Sequence, residues 1–145
     1  MKLSNGLTSS GCYGTFEGEQ VQLQSETPVK GVLEMLVAGE ESPGPGWTSR
    51  IVYGTPTKAQ YWSRHVLADR VSDIHYVKTT GLLGRWRVNV VGEFDGLMEV
   101  RAGAHDVGQE GIAVICREFN LHNWEQVAAY GWVDAALVKD IRTEA

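Results

Sequence analysis

The twenty-residue stretch from Gly84 to Gly103, GRWRVNVVGEFDGLMEVRAG, constrains the fold more than any other part of the chain. Its Asp95-Gly96 dipeptide sits between two runs of alternating hydrophobicity, the strongest short-range signal for a β-hairpin. The faces fix the register. A two-residue loop at Asp95-Gly96 sets Val90 against Arg101 and mixes apolar with polar. A three-residue loop, Phe94-Asp95-Gly96 with Gly96 left-handed, sets Val90 against Val100, Gly92 against Met98 and Val88 against Ala102. A one-residue slip turns every side chain to the other face, so the second register is preferred. Trp86, Val88, Val90, Met98 and Val100 then form an apolar face. The opposite face carries Arg87, Asn89, Glu99 and Arg101, joined by Arg85 at the strand start.

Other segments extend the sheet. EQVQLQSE alternates, with Val21 and Leu23 on one side and Gln20, Gln22 and Gln24 on the other, as a half-buried strand does. GVLEMLVAG places Leu33, Met35 and Val37 on one face. EGIAVICREF is apolar on both sides and reads as a central strand. Seventeen glycines and four prolines fit a chain rich in turns.

Two segments read as helices. Thr55 is a good N-cap and Pro56 suits the first helical position, so a helix is expected from about Pro56 to Ser72. Arg64 shares a face with Tyr61, Leu67, Ala68 and Val71. Asn123 with Gln126 three residues on resembles a capping box, so a second helix is expected from Trp124 to about Ile141. There Val127, Tyr130, Val133, Leu137, Val138 and Ile141 share an arc. Asp134 falls inside that arc and Trp132 outside it. Either Asp134 has a partner, or Gly131 ends one helix and Asp134 lies in the first turn of another, where an acid is favoured. The expected fold is α+β: a largely antiparallel β-sheet with two main helices packed on one face. Residues 1–11, small and polar, read as a flexible lead-in, and residues 12–145 as a single domain. No internal repeat is evident.

Charge narrows the function classes. The net charge is −5. It divides into an acidic start (residues 1–47, two Lys against six Glu), a basic middle (48–101, eight Lys/Arg against five Asp/Glu) and an acidic end (102–145, three against seven). That balance argues against a nucleic acid polymer as partner and leaves room for a small anion. The first residues contain no apolar signal segment, and no run of about eighteen apolar residues exists, so neither secretion nor membrane insertion is expected. Cys12 and Cys116 have neither metal nor redox spacing. A cytoplasmic protein without metal or cofactor is the expectation, with assembly into a homo-oligomer.

No catalytic motif stands alone. His105, Asn120 and His122 lack the further histidine that a nuclease-type set would need. His105-Asp106 could orient a general base, but a solvated histidine in a glycine-flanked loop fits as well. The candidate ligand residues fall into three groups. Arg85, Arg87, Asn89 and Arg101 form an arginine-bearing strand face suited to phosphate or carboxylate. Thr55 and Lys58 stand at a helix start that attracts anions, with Arg64 further along it. Trp132 offers an aromatic surface beside Asp134. The leading expectation is a small binding protein for an anionic, nucleotide- or phosphate-like molecule, including one that sequesters a signalling nucleotide. The alternatives are a small barrel-like isomerase or hydrolase with His105 or Asp134 as base, and a protein-interaction module using Trp132 and the Glu-rich N-terminal strands.

Overall fold

The computed structural model describes residues 1–50 and 60–144. Two compact units divide the chain. One comprises residues 11–77 with Met1, the other residues 2–10 and those from Lys78 on.

In the first unit, β1 (Gly11–Phe16), β2 (Glu19–Leu23), β3 (Val32–Gly39), β4 (Thr48–Arg50), β5 (Gln60–Leu67) and β6 (Val71–Val77) form one sheet in the order β4-β5-β3-β2-β1-β6. A one-turn 3-10 helix, Ala68–Arg70, joins β5 to β6. Every pairing is antiparallel. Leu33 and Met35 alternate inward from β3 and pack with Cys12, Phe16, Leu23, Val66 and Val71 into a core.

In the second unit, β7 (Thr79–Leu83), β8 (Trp86–Phe94) and β9 (Leu97–Gly103) lead into a helix, α1 (Ala104–Phe119). Then come β10 (His122–Trp124), β11 (Ala128–Asp134), a 3-10 turn (Ala135–Leu137) and β12 (Val138–Thr143). The sheet order is β10-β11-β9-β8-β7-β12, again antiparallel throughout. Val88, Val90, Met98, Val100, Ala129 and Val133 are buried on one face of this sheet, with Ile112 and Ile115 of α1 fully buried in the same unit. Residues 2–10 are tied in by Ser10 N–H to the Val90 carbonyl (2.8 Å), Ser10 Oγ to the Thr79 carbonyl (2.7 Å) and Ser4 N–H to Glu93 (2.7 Å).

The two units share one plan, which corrects the expectation that the chain has no internal repeat. Strand order, the 3-10 turn before the last strand and the registers all coincide. Cys12-to-Val21 geometry recurs 67 residues later: Gly14 faces Val21 as Gly81 faces Val88. Glu34 faces His65 as Glu99 faces Trp132. Between Val66–His75 and Val133–Arg142, five of ten aligned residues are identical: Val66/Val133, Ala68/Ala135, Val71/Val138, Asp73/Asp140 and Ile74/Ile141. Asp73 (φ 53°) and Asp140 (φ 48°) both take the left-handed conformation, each beside a register shift in the closing strand. Between its third and fourth strands the second unit inserts α1, and the described residues of the first unit have no helix at that place.

That helix is the only α-helix among the described residues, and the expectation of two main helices is wrong. The segment read as a central strand, Glu110–Phe119, is helical. A short apolar run does not distinguish a strand from a buried helix segment by periodicity, and here Ile112 and Ile115, one turn apart, face the core. Asn120 closes the helix in the left-handed conformation, its N–H bonded to the Cys116 carbonyl. The expected helix over residues 56–72 is instead β5, a 3-10 turn and the start of β6. Its start, including Thr55 and Lys58, lies outside the described residues. Tyr61, Trp62 and Val66 favour strand, and eight matched pairs with β3 outweigh the Thr-Pro start signal. The expected helix over residues 124–141 is β11, a 3-10 turn and β12. Asn123 Oδ1 does accept the Gln126 N–H at 2.9 Å. That local bond serves a hairpin turn, with Glu125 and Gln126 both left-handed, instead of a helix start.

The Asp95-Gly96 hairpin forms with Val90 opposite Val100 and Gly96 at φ 79°. Its loop has two residues, because Phe94 pairs with Leu97. The odd residue is absorbed in the strand, as a bulge between the Val90–Val100 and Gly92–Glu99 pairs. Gly92 therefore meets Glu99, and Met98 meets Glu93.

Candidate functional site: the polar face of the second sheet

Opposite its core, the second sheet presents a row across four strands. Asn89 of β8 faces Arg101 of β9, Arg101 faces Tyr130 of β11, and Tyr130 faces His122 of β10. One step along, Glu99 faces Trp132. Residues two apart on a strand share a face, so Glu99 lies beside Arg101 and Trp132 beside Tyr130. The aromatic rings are in contact in pairs: His122 with Tyr130 at 4.8 Å and Trp132 with Phe94 at 5.2 Å.

Glu99 is the unusual member. It is 8% exposed. Its Oε1 lies 3.6 Å from Arg101, a long contact for an ion pair, and its Oε2 is buried without a hydrogen-bond partner among the described residues. Burial pushes its carboxyl above the ordinary range, and the Arg101 charge offsets part of that shift. Asn89 Oδ1 is a second buried acceptor without a partner on this face. Buried acceptors left unpaired cost free energy, so two on one sheet face mark a place that lacks its donors.

The same positions in the first unit are furnished differently. The row there reads Gln22, Leu36, Ser63 and Thr48. Glu34, the counterpart of Glu99, receives the Arg50 guanidinium at 2.8 Å, and the same nitrogen reaches Gln24 at 3.2 Å. A cleft of about 410 Å³ opens beside Glu34, lined among others by Gln24, Thr27, Lys30 and His65. The shared scaffold thus satisfies its glutamate in one unit and leaves it unsatisfied in the other.

The residues singled out in the sequence separate on the structure. Asn89, Arg101 and Trp132 come together. Arg87 is engaged by the closing strand, donating to the Asp140 carbonyl (2.8 Å) and carboxylate (2.6 Å). This bond, with Arg142 nearby, holds the Asp140 carboxyl below its ordinary value. Arg85 lies over the Trp86 ring at 4.6 Å. Arg64 stands exposed on β5, in the first unit. Thr55 and Lys58 lie outside the described residues. Asp134 is exposed, and its Oδ1 accepts the Ala136 N–H at 2.9 Å, opening the 3-10 turn. Gly131 is mid-strand, opposite Val100, and ends no helix. His105 is exposed and 3.2 Å from Asp106.

The sequence places Glu99 on the arginine-bearing strand face without marking it as a site residue, and its periodicity puts Tyr130 on the apolar arc of an expected helix. One signal pointed to Glu99: a glutamate stands three residues after a turn glycine in both GVLEM and GLMEV. Among the described residues no cluster of three His, Cys, Asp or Glu could hold a metal ion, and no helix is long and apolar enough to cross a membrane. Family models, curated proteins and solved structures were compared with the chain, and none matches.

Proposed function

We propose that this protein binds, without transforming, a small nucleotide-like ligand on the polar face of its second sheet. Trp132 and Tyr130 offer stacking surfaces for a planar base. Arg101, whose side chain is 63% exposed, offers its guanidinium fork to the anionic group. The observation that carries the reading is the exposed Arg101 guanidinium on the sheet face that also presents Tyr130, directly opposite it, and Trp132.

Binding is favoured over catalysis because the candidate bases, Asp134 and His105, both stand exposed and not in a buried setting of the kind that tunes a catalytic base. Asp134 caps a turn, and the His105–Asp106 pair lies at the exposed start of α1. A cytoplasmic setting suits the ligand class and the two free thiols, Cys12 and Cys116. A second reading has one observation in its favour: Trp124, Val127 and Tyr130 are exposed about the edge strand β10, as at a protein-binding edge.

Isothermal titration with a mixture of nucleoside 5′-monophosphates tests the proposal. Saturable heat that disappears in Trp132→Ala and weakens in Arg101→Ala is expected. No heat with the wild-type protein, or heat unchanged in both variants, contradicts it.

A further inference from the structure

We propose that the first unit holds a second ligand site, independent of the nucleotide reading above: the cleft beside Glu34 takes a small aromatic carboxylate. In the second unit the corresponding place is filled from within. Asp95 and Gly96 are left-handed, Phe94 pairs with Leu97, and the Gly96 carbonyl accepts the Ala135 N–H at 2.9 Å. On that frame the Phe94 ring packs against Trp132 at 5.2 Å.

The first unit repeats the frame without the rings. Lys30 and Gly31 are left-handed, Val29 bridges Val32, and the Gly31 carbonyl accepts the Ala68 N–H at 2.9 Å. Val29 thus stands in the place of Phe94. His65, opposite Glu34 as Trp132 is opposite Glu99, stands in the place of Trp132. Both side chains are smaller than their counterparts, and both line a cleft of about 410 Å³. The strand connection is also longer here. Gln24 N–H still bonds the Glu34 carbonyl, and pairing resumes only at Val29 and Val32, so residues 25–28 arch away from the ladder. Ser25 Oγ accepts the Thr27 N–H at 3.1 Å within that arch, and both residues line the cleft. A cavity of this size is in the range that holds small molecules.

The lining selects a ring and an anion. Val29 is 70% exposed, an apolar surface turned to solvent, and Val32 and Leu33 line the cleft with it. A flat ring covers that surface and stacks on the His65 imidazole, as Phe94 does on Trp132. Lys30 replaces Asp95 in the turn, and it is the only lysine or arginine among the described lining residues. Glu34, the only carboxylate among them, is already engaged by Arg50 at 2.8 Å. Glu26, exposed on the same arch, is not a lining residue. An anion in the cleft therefore meets the Lys30 ammonium with no unpaired carboxylate in the lining to oppose it. A single compact ammonium, without a guanidinium fork beside it, suits one carboxylate better than a phosphate dianion.

Amide chemical-shift mapping of the full chain with indole-3-acetate tests the site, with indole-3-acetamide as the uncharged control. The acid is expected to shift Thr27, Val29, Lys30 and His65 saturably and to leave Tyr130 and Trp132 unmoved. The amide is expected to bind about two- to fivefold more weakly, the scale of one exposed ion pair. Lys30→Asn removes the charge and tolerates the left-handed turn, and it is expected to bring the acid down to the affinity of the amide. Val29→Phe combined with His65→Trp copies the pair of the second unit and is expected to fold, fill the cleft and abolish binding. No saturable shift at those four residues, shifts centred on Tyr130 and Trp132, or binding that survives the double variant overturns the site. Equal affinity for acid and amide in the wild-type protein overturns the carboxylate assignment. Each of these results leaves the nucleotide reading to its own titration.

Discussion

Glu99 and Trp132 face each other across β9 and β11, at the place where Glu34 and His65 face each other in the first unit. One position therefore holds a glutamate twice, once joined to Arg50 and once with an oxygen left over. A fold built twice on one plan offers its own control. What the two copies share belongs to the scaffold, and what they do not share points to use.

The pH dependence of stability separates two kinds of carboxylate. Glu99 has a raised value, so its contribution is fully present at low pH and is lost as pH rises through that value. Asp140 and Glu144 are held below their ordinary values by Arg87 and Thr80 respectively, so their contribution is present above the ordinary carboxylate range and is lost as pH falls. Glu99→Gln should raise the melting temperature at neutral pH and flatten the decline on the neutral side of the optimum. Arg87→Ala should move the acid-unfolding midpoint to higher pH. A neutral-pH melting temperature that falls in Glu99→Gln would show that the buried carboxylate is already satisfied.

Shared scaffold positions should respond alike. A Cβ at Gly14 would stand 2.7 Å from Val71 Cγ1, and one at Gly81 would stand 2.5 Å from Val138 Cγ1. Each glycine lets the closing strand, with its left-handed aspartate, lie tight against the first strand of its unit. Gly14→Ala and Gly81→Ala should each destabilise by about 1–3 kcal/mol, as overpacking does. Adding Val138→Ala to Gly81→Ala should recover part of that loss. Thermal denaturation measures both, and an unchanged melting temperature in either single variant would contradict the shared packing.

Asp134 should matter as a cap and not as a charge. Its Oδ1 holds the Ala136 N–H, so Asp134→Ala should cost about 1 kcal/mol and Asp134→Asn, which also accepts, only a fraction of that. Urea titration distinguishes them. Equal losses in the two variants would indicate that the carboxylate's charge, and not its cap bond, carries the effect.

The strands that alternate cleanly were legible in the sequence. β2, β3 and the β8–β9 hairpin announce themselves by period and by the Asp-Gly turn, and Val90 meets Val100 as the faces require. The bulge was not legible, since an odd residue is absorbed equally well in a loop or in a strand. The helices were misplaced for a related reason. Asn123 makes the bond of a helix cap and closes a hairpin with it, and local chemistry of this kind does not say which structure follows. Ile112 and Ile115 sit in a run too short for its period to be read. The repeat was hidden because the copies keep the residues that make turns and tight contacts, Gly14/Gly81 and Asp73/Asp140, and little between them. Of the candidate site, Asn89, Arg101 and Trp132 were visible as odd polar or aromatic residues. Glu99 was not, because only the pairing of β9 with β11 shows that it is buried.

Amide chemical-shift mapping during titration with the mixture of nucleoside 5′-monophosphates tests the central claim most directly. The account predicts the largest perturbations at Asn89, Glu99, Arg101, Tyr130 and Trp132, with the matching first-unit positions Gln22, Glu34, Leu36, Ser63 and His65 unmoved. Perturbations centred on the first unit, or none at saturating nucleotide, would contradict it.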